Sequence, residues 1–181
     1  MIMAKVELKS ILPYAGIPVV VAAFLIINLN QPDVFIILLY QLVIVFGYIA
    51  AVIDIKTKKI PNGFVLAMLA AWIIVMTPKL FLDTDVAIAL MKQSGLGLAS
   101  GGGLFLVVYL ISHKGLGGGD VKFMAAVGLY LGFGGIIQAM LFGTVLAGLT
   151  GLVLILLKKI GRKDTIPLAP FLYVGILTTV F

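Results

Sequence analysis

Long apolar runs separated by short polar stretches dominate this chain, at about 11 to 29, 34 to 53, 61 to 77, 95 to 112, 121 to 135, 137 to 157 and 167 to 181. A helix needs roughly 17 to 25 apolar residues to cross the hydrocarbon of a bilayer. The pattern therefore predicts an all-α, polytopic transmembrane bundle of about seven spanning helices, with six as the lower count because the last run is short. Residues 82 to 93, LDTDVAIALMKQ, offer Asp83 or Thr84 as an N-cap ahead of an apolar stripe. That stretch reads as a short helix lying at the membrane interface. The first run follows Lys5 and Lys9 with no clear small-residue cleavage site, so it reads as a retained helix. Residues 1 to 181 form a single membrane-embedded domain on this reading.

Composition agrees with that pattern and narrows the chemistry. The 181 residues are 62% hydrophobic and 11% charged, with a mean hydropathy of +1.25; soluble domains carry roughly 25% charged residues. No soluble domain of useful size remains. The absence of cysteine removes disulfides and thiolate metal ligands and leaves His113 as the one imidazole. No metal and no cofactor are expected, and His113, without a serine and acid partner at a recognisable spacing, reads as a solvated loop residue.

The net charge of +6 points to membrane topology and not to nucleic acid, because cytoplasmic loops hold the excess of Lys and Arg. With the N-terminus in the cytoplasm, alternation through seven segments places Lys5, Lys9, Lys56, Lys58, Lys59, Lys114, Lys122, Lys158, Lys159, Arg162 and Lys163 inside. Only Lys79 and Lys92 fall outside. The same alternation puts Asp54, at the end of the second segment, and Asp120, at the start of the fifth, on one face although 66 residues separate them.

These two carboxylates stand apart from Glu7, Asp33, Asp83, Asp85 and Asp164, which fall in tails or loops as solvated charges. Asp54 abuts a hydrophobic run, and Pro61 suits the first turn of the next helix, where its missing N–H is no loss. Asp120 follows Gly117, Gly118 and Gly119, whose bare backbone allows close approach or positive φ. Two carboxylates brought together at a membrane surface are the equipment of an aspartic protease. Both cannot ionise cheaply, so the pair holds one proton while its charged member activates water.

The stretches Asp54-Ile-Lys-Thr-Lys-Lys-Ile-Pro-Asn62 and Gly117-Gly-Gly-Asp120-Val-Lys122 resemble those of the type IV prepilin peptidases, the GxGD class of membrane aspartyl proteases. The resemblance implies Asp54 and Asp120 as the catalytic pair, a multi-pass place in the cytoplasmic (inner) membrane, and prepilin-like precursors with short basic leaders as substrates. Ile166-Pro-Leu-Ala-Pro170-Phe is similar to the family's late proline-containing stretch. Longer members carry a cytoplasmic insert with paired cysteines and methylate the new N-terminus. This chain has no Cys and only a few residues near Asn28 to Asp33 between the segments before Asp54. It looks like a minimal, peptidase-only form, similar to those serving tight-adherence pili or archaeal surface filaments.

Supporting roles are expected for Gly117, Gly119, Lys122, Lys56, Pro61 and Asn62 around the pair. Lys122 is placed to tune the dyad or hold a substrate carboxylate; Lys56, with Lys58 and Lys59, is placed for substrate or anionic lipid headgroups. Glycines 95, 97, 101 to 103, 143, 148 and 151 predict close helix packing, and Gln41 and Gln138 predict bonds to neighbouring helices. Trp72 reads as packing, and Pro167 and Pro170 as shaping a helix start. One other reading stays open: a proton- or cation-coupled transporter using Asp54 and Asp120 as ion-binding carboxylates beside a glycine-broken helix. Against it stand the lack of an inverted repeat and of midplane charge. A presenilin-like protease fits less well because Ile53, not tyrosine, precedes Asp54.

Overall fold

Side-chain caps mark the starts of two of the apolar helices. The computed structural model describes residues 12–28, 33–112, 116–161 and 164–181; His113 lies outside them, as do Lys5, Lys9, Lys114, Arg162 and Lys163. After a short 3₁₀ turn, Leu12–Tyr14, six α-helices follow: α1 Ile17–Ile27, α2 Val34–Thr57, α3 Asn62–Leu82, α4 Thr84–Ile111, α5 Gly118–Leu156 and α6 Ala169–Val180. Asp33 caps α2 by accepting the Phe35 N–H at 2.9 Å, and Asp83 caps α4 by accepting the Val86 N–H at 3.3 Å.

Four helices, α2 to α5, are long and apolar enough to cross a membrane. By length and composition among the described residues that is fewer than the seven expected spans, with α5 itself two limbs joined at Gly132. As described, α1 has 11 residues and α6 has 12, roughly 17 and 18 Å of helix against about 30 Å of hydrocarbon. A second correction concerns residues 82 to 93, which are no separate interfacial helix. Asp83 does cap, but the helix that it starts runs unbroken to Ile111, because nothing between Lys92 and Gly95 stops it.

The two runs at 121 to 135 and 137 to 157 are the limbs of α5, whose 39 residues are broken at Gly132. Its φ of 67° and ψ of −174° lie in a region open essentially to glycine alone. Beyond it the chain doubles back. A β-carbon built on Gly101 would meet both the Met124 carbonyl and the Ile136 side chain, whereas a straight helix would hold those two residues roughly 18 Å apart.

Small residues let these helices approach. Gly97 of α4 lies directly against Gly128 of the first α5 limb, and Gly143 of the second limb packs on Leu172 of α6. Gly101 and Gly102 share that role, while Gly95, Gly103 and Gly148 meet nothing within 4 Å. Without a hydrophobic drive between helices in lipid, such close packing supplies much of the association. The buried interior is formed by Val43, Ile44, Met68, Phe123, Met124, Val127, Ile136, Leu172 and Ile176, and large apolar side chains such as Ile74, Phe81 and Leu149 face outward. Gln138 donates to the Thr178 carbonyl at 3.4 Å, a helix-to-helix bond as expected. Gln41 has no hydrogen-bond partner among the described residues, and neither does the half-buried Trp72 indole N–H.

Candidate active site

Asp54 sits in the last turn of α2 and is buried, with 5% of its surface exposed. The helix ends just beyond it for local reasons. Lys58 turns into the left-handed region (φ 52°, ψ 30°), and its N–H closes the last turn on the Asp54 carbonyl at 2.8 Å. Glycine is the usual residue at such a helix end, and a side chain there costs about 1 kcal/mol or more. The Thr57 hydroxyl accepts the Lys59 N–H at 3.3 Å and lies 2.9 Å from the Ile53 and Lys59 carbonyls, donating to one of them. Pro61, extended at φ −67° and ψ 143°, is the N-cap residue of α3. That is one position earlier than the first helical turn expected for it, and its carbonyl receives the Phe64 N–H at 3.1 Å.

Asp120 is the third residue of α5, with its N–H donated to the Gly117 carbonyl at 3.0 Å. Of the glycines before it, Gly119 serves close approach and Gly118 meets nothing within 4 Å, and none of the three has positive φ. A β-carbon on Gly119 would come within 3.1 to 3.3 Å of the backbone and Cβ of Ile60. The buried Ile60 thus rests on bare backbone, and the α2–α3 connection that follows Asp54 is drawn onto the start of α5 carrying Asp120.

Two cavities meet at the acidic pair. One, of about 390 Å³, is lined by Asp54, Lys58, Lys59, Ile60, Gly117, Gly118, Gly119 and Asp120. The other, of about 360 Å³, is lined by Asp54, Lys58, Leu116, Gly117, Asp120, Thr165, Ile166, Pro167 and Leu168. Asp54, Lys58, Gly117 and Asp120 border both. The Asp54 Oδ2 accepts the Ala169 N–H at 2.9 Å. Ala169 begins α6, whose first-turn N–H groups have no partner within the helix and so present donors to a carboxylate.

Of the residues singled out from sequence, Asp54, Asp120, Gly117 and Gly119 therefore come together at these cavities. Lys122 and Asn62 meet each other instead, the ammonium donating to the Asn62 Oδ1 at 2.9 Å, and tie the starts of α5 and α3 beside the site. Lys56 turns away, with its ammonium 5.1 Å from the centre of the Tyr14 ring. The lysines at the cavities are Lys58 and Lys59. The Ala169 amide and Ile60 were not foreseen as parts of the site. Pro170 was the available signal for the first, since a proline near a helix start implies a first turn of unpartnered N–H groups. Among the described residues no cluster of potential metal ligands occurs.

A model of the type IV leader peptidase family matches residues 41–155. The chain belongs to this family. It is similar to the prepilin leader peptidase/N-methyltransferase of Bacillus subtilis (strain 168), 34% identical over 131 residues, which cover 70% of this chain and 48% of that protein. It is also similar to the prepilin leader peptidase/N-methyltransferase of Legionella pneumophila, 30% identical over 147 residues, 80% of this chain and 50% of that protein. The chain thus spans about half the length of these curated relatives. No solved structure matches it. The family is one of leader peptidases, which favours the protease reading over the ion-carrier reading. The matched stretch includes both aspartates but ends before Thr165–Ala169, so the contact that fixes Asp54 comes from outside it.

Proposed function

We propose that this leader peptidase family member is a membrane aspartic endopeptidase. It removes short basic leaders from prepilin-like precursors, whether pilins, pseudopilins or archaellin-like proteins, at the cytoplasmic face of the cell membrane. The observation that carries the reading is the pair Asp54 and Asp120 bordering the same two cavities. In the proposed reaction one carboxylate takes a proton from water as the oxygen adds to the scissile carbonyl carbon. The other, protonated, carboxyl gives its proton toward the carbonyl oxygen. Collapse of the tetrahedral intermediate breaks the C–N bond with proton delivery to the leaving amine, releasing the leader's carboxylate and the new N-terminus. No cofactor takes part.

The cytoplasmic placement rests on the lysine asymmetry and on the substrate class. Anionic headgroups would gather both the basic leader and the lysine-bearing loops, since each basic residue near such a surface contributes about 1 kcal/mol. Lys122 supports the site through Asn62 in this reading and does not line the cavity. Of the two activities in the relatives' names, this chain carries out the hydrolytic one, a reading supported by the two carboxylates bordering the cavities, and leaves the new N-terminus unmethylated.

The deciding experiment incubates the purified chain with synthetic prepilin-like precursors in anionic vesicles and identifies new N-termini by mass spectrometry. Cleavage after the basic leader, resistant to chelators and lost in both Asp54→Asn and Asp120→Asn, is expected. Substantial activity in either variant ends the two-aspartate reading. A mass gain of one methyl group upon adding S-adenosylmethionine would correct the peptidase-only part alone.

A further inference from the structure

Lys58 joins the two segments that meet at Asp54. Its N–H holds the Asp54 carbonyl at 2.8 Å, and its ammonium donates to the Thr165 carbonyl at 3.0 Å. Four residues after Thr165, the Ala169 N–H reaches the Asp54 carboxylate at 2.9 Å. These contacts close a ring from the Asp54 backbone through Lys58, Thr165 and Ala169 to the Asp54 side chain. Among the described residues, no other hydrogen bond ties Thr165–Leu168 to α2. The Ala169 N–H that meets the Asp54 carboxylate thus belongs to a segment that Lys58 contacts.

Lys158 provides an internal control. It and Lys58 are the described non-glycine residues with positive φ, 56° and 52°, and each ends a helix. The Lys158 N–H bonds the Ile155 carbonyl at 2.9 Å, yet its ammonium has no hydrogen-bond partner among the described residues and it borders neither cavity. Both positions favour glycine for the backbone; only Lys58 returns a contact to the site.

We propose that Lys58 is a positioning residue of the dyad, its ammonium holding Thr165–Ala169 where the Ala169 N–H can orient the Asp54 carboxylate. This rests on the peptidase reading above. Misplacing a reacting group by a fraction of an ångström to an ångström slows the chemical step without weakening substrate binding. The role accordingly predicts a loss in kcat and not in KM.

The test compares purified full-length Lys58→Met, Lys58→Gly, Lys58→Arg and Lys158→Gly with the parent chain, by cleavage kinetics on a prepilin-like precursor, by melting temperature and by amide exchange. Both glycine variants should melt at or above the parent temperature, since each relieves a left-handed side chain. Only Lys58→Gly and Lys58→Met should lose kcat, by about tenfold with KM within about twofold. Lys58→Arg, able to reach the same carbonyl, should recover most of the loss. Exchange in the 164–170 segment should quicken in Lys58→Met and Lys58→Gly and stay at the parent rate in Lys158→Gly. Parent-like kcat in Lys58→Gly, a rise in KM with kcat unchanged, or unaltered exchange in that segment would each overturn the assignment. A parent chain that cleaves no precursor would instead refute the peptidase reading, and the exchange data would still decide whether Lys58 holds the segment.

Discussion

The two ends of α2 treat their aspartates in opposite ways. At the start of the helix Asp33 accepts the Lys79 ammonium at 2.9 Å, and that ammonium also lies 5.0 Å from the centre of the Phe35 ring. Twenty-one residues later, roughly 30 Å along the helix, Asp54 shares its cavities with a second acid. Of the lysines around this pair, Lys58 is occupied by a carbonyl, Lys122 by an amide and Lys56 by an aromatic ring, while Lys59 borders one cavity without forming a salt bridge to either acid. Among the described residues Asp33–Lys79 is the one salt bridge. A carboxylate that only has to sit near lipid is neutralised by a partner, because an uncompensated charge there is costly. In the proposed reaction Asp54 and Asp120 must move protons, and neither has among the described residues an ammonium partner, which would fix its charge state.

The widest separation between the ends should come from neutralising their acids in turn. Asp54→Asn or Asp120→Asn should cut cleavage by about a thousandfold or more while leaving the melting temperature unchanged or higher, because a like charge is removed from a shared cavity. Asp33→Asn should do the reverse, keeping cleavage at the parent rate and lowering stability by about 1 kcal/mol through an unpaired, largely buried Lys79. Kinetics and thermal melts on the three variants check this, and a common loss of both properties would erase the distinction.

A smaller effect sharpens the site end alone. Gly119→Val places branched carbons where a single Cβ already comes within 3.1 Å of the Ile60 carbonyl, so it should push the Asp54 connection off α5. Activity should fall by about a hundredfold with both aspartates intact, whereas Gly103→Val, facing open space, should stay within about twofold of the parent. Cleavage rates of the two variants at equal folded protein provide the comparison.

The smallest effect belongs to the opposite end and depends on pH. Partial burial pushes the Asp33 carboxyl upward, but the Lys79 hydrogen bond and charge and the Phe35 amide outweigh it and hold the group below the ordinary aspartate range. A carboxyl lowered by folding contributes stability that is fully present above its unfolded pKa and fades as pH falls through its folded one. Melts from pH 6 downward should therefore show the difference between the parent chain and Asp33→Asn shrinking only in the most acidic range, below about pH 4. A difference independent of pH throughout that range would mean that the pair contributes through packing and not through charge.

How far the sequence reaches follows from the range over which each feature is determined. Helix, apolar span, the Asp83 cap and the break within 121 to 157 depend on neighbours a few residues away, so they were legible; Asp33, read as a solvated loop charge, instead caps α2 and pairs with Lys79. Whether α4 paused after Asp83 was less so, because a cap marks where a helix starts and says nothing about where it stops. Hydrophobic runs also overstate spans, since apolar residues in α6 satisfy the same composition when packed as a 12-residue helix against α2 and α5. Asp54 and Asp120 were identifiable singly, as charges at the edges of apolar runs flanked by recognisable residues. That they border common cavities was decided by tertiary structure, through the bare backbone of Gly119 against Ile60. Tertiary structure alone also gave Asp54 the Ala169 N–H, turned Lys56 toward Tyr14, Lys122 toward Asn62 and Lys58 toward Thr165. A lysine's residue type fixes its charge and reach, but its partner is whatever acceptor the fold leaves unpaired within that reach.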